Sequence, residues 1–161
     1  MQPIELLEQL KTDVEQVDQL LALIEHEFQL LQLRQFEHLE ALLEHKSPLI
    51  SQLSAHGQQR ADLLTQNHLP VTRQGLQSLL HKEPSSQPIQ EQILKLADYL
   101  EQQLELCKQA NDRNGRFIYY NQIAISDTLQ ILRGTPDSAN LYNQRGGNAA
   151  NLNRQRPISQ A

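Results

Sequence analysis

Residues 93–133 read ILKLADYLEQQLELCKQANDRNGRFIYYNQIAISDTLQILR, and inside them Asn111-Asp112-Arg113-Asn114-Gly115-Arg116-Phe117-Ile118 disturbs an otherwise regular helical pattern. Steps of seven pass through Ile93, Leu100, Cys107, Asn114, Asn121 and Thr128, so an apolar seam turns polar where Asn-Gly occurs. Ile118, Ile125 and Leu132 continue an apolar line beside it. A seam position buries its side chain against a partner helix, and a buried amide without hydrogen bonds costs roughly 1–3 kcal/mol. A long helix that keeps its period through two seam asparagines and a glycine is expected to end in a face kept for something other than its own core. That expectation is a binding surface, not a catalytic pocket.

Upstream, residues 3–33 form one amphipathic pattern in which Ile4, Leu7, Leu10, Val14, Val17, Leu21, Ile24, Phe28 and Leu31 follow each other at steps of three or four. Pro3 suits a first-turn position, and Glu5 and Glu8 complement the positive end of the helix dipole. A second pattern covers 36–66: Phe36, Leu39, Leu42 or Leu43, Lys46, Leu49 or Ile50, Leu53, Leu63 and Leu64. The join at Arg34-Gln35 has no glycine or proline, so a turn and a continued helix both remain open. Pro48 either kinks the second helix or starts a new one with Ser47 as N-cap. The maintained phase from Leu42 to Leu53 favours the kink.

Residues 66–72 carry Pro70 and read as a loop. Residues 73–82 read as a short helix capped by Thr72, with Leu76, Leu79 and Leu80 inward. Residues 83–88 are a turn-forming linker, and Pro88 opens the last helix at its first position. Gly134 with Pro136 stops that helix near Leu132 or Arg133. The sequence therefore predicts an all-α fold: an antiparallel bundle of long helices, coiled-coil-like, with a short extra helix over residues 1–134. Residues 135–161, rich in Asn, Gly, Gln and Arg, read as a flexible basic C-terminal tail with too little apolar content to fold alone.

Composition agrees. Aromatics make up 4% of the chain, tryptophan is missing, and leucine, glutamine and glutamate dominate, which suits long helices packed through leucine seams. A net charge of −5 argues against nucleic acid as the main partner. The charge is uneven: residues 1–45 hold ten carboxylates against Lys11 and Arg34, whereas residues 139–161 hold Arg145, Arg154 and Arg156 and no carboxylate. Cys107 is the single cysteine, so no internal disulfide can form, and its seam position fits a small core residue in a reducing compartment. No signal peptide or bilayer-length apolar run is read, and the chain is expected to be soluble and cytoplasmic, without membrane insertion.

Catalytic and metal-binding patterns are missing from the sequence. None of the six histidines stands in His-Glu-x-x-His, and no glutamate lies three positions before a histidine. His38 and His45, seven apart beside Glu37 and Glu44, read as a solvated face. There is no phosphate-binding glycine loop and no nucleophile motif, so no enzyme activity, cofactor or metal is expected.

Three segments in order carry a resemblance. Lys46, Leu49, Leu53 and Arg60 form a Lys-x-x-Leu-x-x-x-Leu stretch followed by arginine; Asn111 to Gly115 form Asn-x-x-Asn-Gly; Leu141-Tyr142 precede a basic end with Pro157-Ile158-Ser159. Together they resemble the FlgN family of flagellar type III export chaperones over nearly the whole chain. Asn143 after Leu-Tyr, where the family has glycine, and an arginine-rich end where it has a lysine-rich one depart from the pattern. The resemblance implies a cytosolic chaperone for the hook–filament junction proteins FlgK and FlgL, holding their C-terminal helices and delivering them to the secretion apparatus.

The resemblance also implies a partner-binding region in the C-terminal part. On this chain its candidate anchors are Phe117, Ile118, Ile125, Leu129 and Leu132, spaced to receive a helix with an apolar stripe. Asn114 and Asn121 would set register, Gly115 would permit close approach, and Leu141 and Tyr142 in the tail would serve recognition, Tyr142 as a docking point for the export gate FlhA. Residues such as Ile118, Ile125 and Leu132 at this spacing are more often intramolecular core. Two readings compete: a structural coiled coil that pairs only with itself, and a helical signalling adaptor, for which His38 or His45 would be the phospho-accepting candidates.

Overall fold

The computed structural model describes residues 2–82 and 86–134. Four α-helices and one 3-10 turn account for them: α1 (Pro3–Leu33), the turn Phe36–His38, α2 (Leu39–Gln66), α3 (Arg73–Lys82) and α4 (Gln87–Arg133). No strand occurs among the described residues, and the fold is an all-α helical bundle. Contacts divide the described residues into two units, one up to Phe117 and one from Ile118 onward.

In the first unit, α1 starts with Pro3 in its first turn, and the backbone N–H of Gln2 donates to Glu5 at 2.8 Å, which closes a capping box. It ends at Arg34, whose φ of 58° is left-handed, while Gln35 N–H donates to Leu30 O at 2.9 Å. The open question at 34–35 is therefore answered by a turn. An arginine in this conformation costs about 1 kcal/mol, which the two carbonyls it satisfies in the last turn of α1 offset. The chain then reverses. Gln9 meets Gln59, Asp13 meets His56, and Glu27 meets Lys46, so α1 and α2 are antiparallel. Pro48 lies inside the single helix α2.

Thr72 Oγ1 accepts the Gly75 N–H at 3.2 Å and caps α3. A side chain at Gly75 is impossible without displacement, because a Cβ there would stand 1.9 Å from the Pro70 carbonyl oxygen. α4 begins at Gln87, one residue before Pro88. It runs parallel to α1: Tyr99 donates to Asp18, Arg113 to Glu25, and Phe117 meets Phe28.

Leu6, Leu10, Val17, Leu20 and Ile24 of α1, Leu53 of α2, Leu76 and Leu80 of α3, and Ile93, Leu100 and Cys107 of α4 form the core. Each fully buried leucine or isoleucine contributes about 1.5–3 kcal/mol, so this cluster dominates the stability of the unit. The inward face of α1 is rotated from the simple three–four reading. Leu6 and Leu20 are buried while Ile4 is 63% exposed, and in α2 Leu43 and Ile50 face solvent while Leu42 and Leu49 are half-buried.

Two carboxylates, Asp13 and the half-buried Glu27, hold α2 to α1. Asp13, fully enclosed, accepts from Arg60 and His56, both at 2.5 Å. Glu27 accepts from the buried Lys46 at 2.9 Å. A buried charge persists only when it is paired and hydrogen-bonded, and both are. Lys46, Leu53 and Arg60, which carry much of the family resemblance, are thus parts of the bundle's interior.

Candidate helix-binding surface

Three seam positions of α4 precede Asn114. Ile93, Leu100 and Cys107 are buried, and Cys107 Sγ lies 3.8 Å from Val17 O. Burial, with the nearby Asp18 carboxylate adding to it, pushes the Cys107 thiol up, which keeps it protonated and unreactive.

At the next seam position the structure corrects the sequence reading. Asn114 is 2% exposed, and its Nδ2 donates to Ile24 O at 2.9 Å and to Glu27 Oε2 at 3.0 Å. Its Oδ1 accepts from Arg113 Nη2 at 3.1 Å. Donors and acceptor are all satisfied inside the fold, so Asn114 holds α4 to α1 and is not offered to a partner. The polar seam residue marks an internal hydrogen-bond site, where the spacing alone suggested an external one.

Around Asn114 stands a cluster that spacing did not reveal. Arg113 donates to both carboxylate oxygens of Glu25, at 3.2 and 3.0 Å, and its guanidinium lies 3.9 Å over the centre of the Phe28 ring. Phe28 in turn meets Phe117 edge-on at 5.5 Å. The ion pair is partly solvated and alone is worth about 0–1 kcal/mol; the ring contact adds about 0.5–1 kcal/mol. Phe117 is therefore half-buried against Phe28 and presents only part of its ring. Gly115 is exposed, with nothing within 4 Å of where a Cβ would stand, so close packing is not what requires glycine here. Glycine inside a helix weakens it by about 1 kcal/mol relative to alanine.

From Ile118 to Arg133 no residue is buried. Eight large apolar side chains are exposed there: Ile118, Tyr119, Tyr120, Ile123, Ile125, Leu129, Ile131 and Leu132, the last two at 78% and 76%. Ile118, Ile125, Leu129 and Leu132 recur at steps of seven, four and three, which places them on one helix face. Among the described residues none of the four belongs to the buried core. Asn121 on the same face is half-buried and engaged. Tyr119, Tyr120, Ile123 and Ile131 broaden the apolar surface beyond the anchors that the sequence singled out, and the tyrosine rings touch each other at 5.6 Å. The signal for them was present: residues 117–132 carry apolar side chains right round the helix, not in one stripe. Leu141 and Tyr142 lie outside the described residues.

Among the described residues no group of three or more His, Cys, Asp or Glu stands ready to hold a metal ion, and no helix is long and apolar enough to cross a membrane. One groove of the first unit, about 720 Å³, is walled by Leu10, Leu64, Leu76, Leu79, Leu100 and Leu104; Arg60 and Arg73 in its lining are already paired with Asp13 and Asp98.

A family model described as FlgN protein matches residues 1–150. The chain belongs to the FlgN family. A crystal structure of a flagella synthesis protein FlgN from Pseudomonas aeruginosa is similar to it at 35% sequence identity and a TM-score of 0.64, over 80% of this chain and 95% of the other. No curated protein matches the chain. FlgN membership gives the chain a flagellum-related role, and the FlgN family is not a class of enzymes.

Proposed function

We propose that this FlgN-family protein is a cytosolic export chaperone, not an enzyme, for the hook–filament junction proteins FlgK and FlgL. It holds their C-terminal helices against the 118–132 face of α4, prevents premature assembly, and delivers them to the type III secretion apparatus. The observation that supports this reading is the run of eight exposed apolar side chains after Phe117. Apolar surface of this density on one short helical segment marks a contact site, and within it the face of Ile118, Ile125, Leu129 and Leu132 is the geometry that receives an amphipathic partner helix. The tail bearing Leu141 and Tyr142 is proposed as a second contact, Tyr142 docking on the export gate FlhA.

The test is a light-scattering mass measurement of the full chain with a C-terminal helical segment of FlgK. A one-to-one complex is expected, and Ile125→Asp with Leu129→Asp should abolish it, because each buried anchor lost costs about 2–3 kcal/mol. A complex of unchanged affinity in the double variant would sink the assignment of this face. A homo-oligomer that ignores the segment would support the self-pairing coiled coil instead.

A further inference from the structure

The apolar segment poses a problem of its own. Residues 118–133 are sixteen in number with none buried, and an isolated helix of that length is marginal in water. Its composition does not help: Tyr119, Tyr120, Ile123, Ile125 and Thr128 are all weaker helix formers than alanine or leucine, and Gly115 lies just before it. Yet α4 continues without a break to Arg133. Helix propagation is favourable only from an existing nucleus, so the turn that precedes Ile118 has to be fixed by something other than its own sequence.

That turn is where Arg113 acts. Its guanidinium grips both oxygens of Glu25 and covers Phe28, and Phe28 meets Phe117, the last residue before the exposed run. Asn114 beside it is tied to Ile24 O and Glu27. We infer that Arg113 is a positioning residue for partner binding: by clasping α1 it supplies the fixed turn from which residues 118–133 propagate as a preformed helix. The inference rests on the proposed function for what binds there, but its structural half stands on the free protein. A partner that needs a helical surface binds more weakly by the fraction of molecules in which that surface is formed.

Arg113 is the member of the cluster that can be removed without opening the core, since its side chain keeps 37% exposure. Alanine is at least as good a helix former as arginine, so any loss of helix in Arg113→Ala comes from the lost contacts with Glu25, Phe28 and Asn114 Oδ1 and not from propensity, and Glu25→Ala isolates the clasp because it leaves Asn114 its donor. Hydrogen exchange on the full chain, without partner, should show protection at 118–133 falling about tenfold in Arg113→Ala while residues 6–24 keep theirs. Glu25→Ala should reproduce this from the other side of the clasp. Adding Gly115→Ala to Arg113→Ala should restore about fivefold of the protection, since alanine there meets nothing and strengthens the helix. Affinity for the FlgK segment should fall about three- to tenfold in Arg113→Ala and recover in the double variant. Unchanged exchange at 118–133 in Arg113→Ala, or no recovery on adding Gly115→Ala, overturns the inference. If the wild-type chain fails to bind the FlgK segment, the proposed function is what falls, while exchange in the free protein still decides the role of Arg113.

Discussion

Arg60→Ala removes one of the two close partners of a carboxylate that no water reaches. Asp13 has 0% exposure, and its two oxygens are taken by His56 Nδ1 and Arg60 Nη1, each at 2.5 Å; the same Arg60 nitrogen donates to Gln9 at 2.9 Å. Breaking a buried ion pair from one side costs about 3–5 kcal/mol, because the remaining charge is left without compensation. His56 stays in place, and the Arg60 side chain is 17% exposed, so water can follow into part of its space. Both facts put the expected loss at the low end, about 3 kcal/mol. For a bundle of this size that is a fall in Tm of about 10 °C. Equilibrium urea unfolding followed by far-ultraviolet circular dichroism measures it, and the midpoint should drop with the slope unchanged. Adding Asp13→Asn to Arg60→Ala should recover part of the loss, since the stranded charge is then gone. At a temperature where the variant is still folded, affinity for the FlgK segment should stay within about twofold of wild type, because additivity holds for distant sites. An unmoved midpoint would refute the reasoning about Asp13. Lost partner binding at unchanged stability would show that Arg60 faces a partner and not the interior.

Other outcomes follow from the same geometry. Ile125→Asp should change stability by less than about 0.5 kcal/mol, since the side chain is 61% exposed, while weakening FlgK-segment binding at least thirtyfold; fluorescence anisotropy and thermal melts separate the two effects. Gly75→Ala should destabilise by about 2 kcal/mol, read by urea unfolding, because its Cβ would meet the Pro70 carbonyl oxygen at 1.9 Å and push α3 from its cap. Cys107 is held above the ordinary thiol range by burial, so above about pH 8.5 the unfolded chain loses a proton that the folded one keeps. Its contribution is therefore fully present below that pH and is lost as pH rises through the higher folded value. Urea midpoints between pH 7.5 and 10 should decline in the wild type more steeply than in Cys107→Ala, and thiol labelling at pH 7.5 should wait on unfolding.

Much of the fold was legible because three helices carry period and punctuation together. Pro3, Thr72 and Gly134 mark boundaries that the structure keeps, and α1, α3 and the end of α4 fall where the apolar spacing places them. The turn at Arg34 was not legible, since it uses a left-handed arginine where a glycine would have announced it. The choice between Leu42 and Leu43, or Leu49 and Ile50, needed the tilt of α2 on α1, which one helix's sequence does not contain. Asn114 shows the same limit at the candidate site. Spacing places it on the seam, but the acceptors that occupy it, Ile24 O and Glu27, lie 90 and 87 residues away in sequence. Spacing identifies a face and says nothing about which chain completes it. Ile118, Ile125, Leu129 and Leu132 are exposed, and their role as a contact surface is the proposal made above.

The claim on which the account turns is that the apolar run after Phe117 is covered by a partner's helix. Hydrogen exchange of the full chain with and without the FlgK C-terminal segment reads this directly. Added protection concentrated at 118–132, with the amides of the α1–α2 hairpin unchanged, is the predicted result. Protection that appears elsewhere in the bundle while 118–132 exchanges as in the free protein would contradict it.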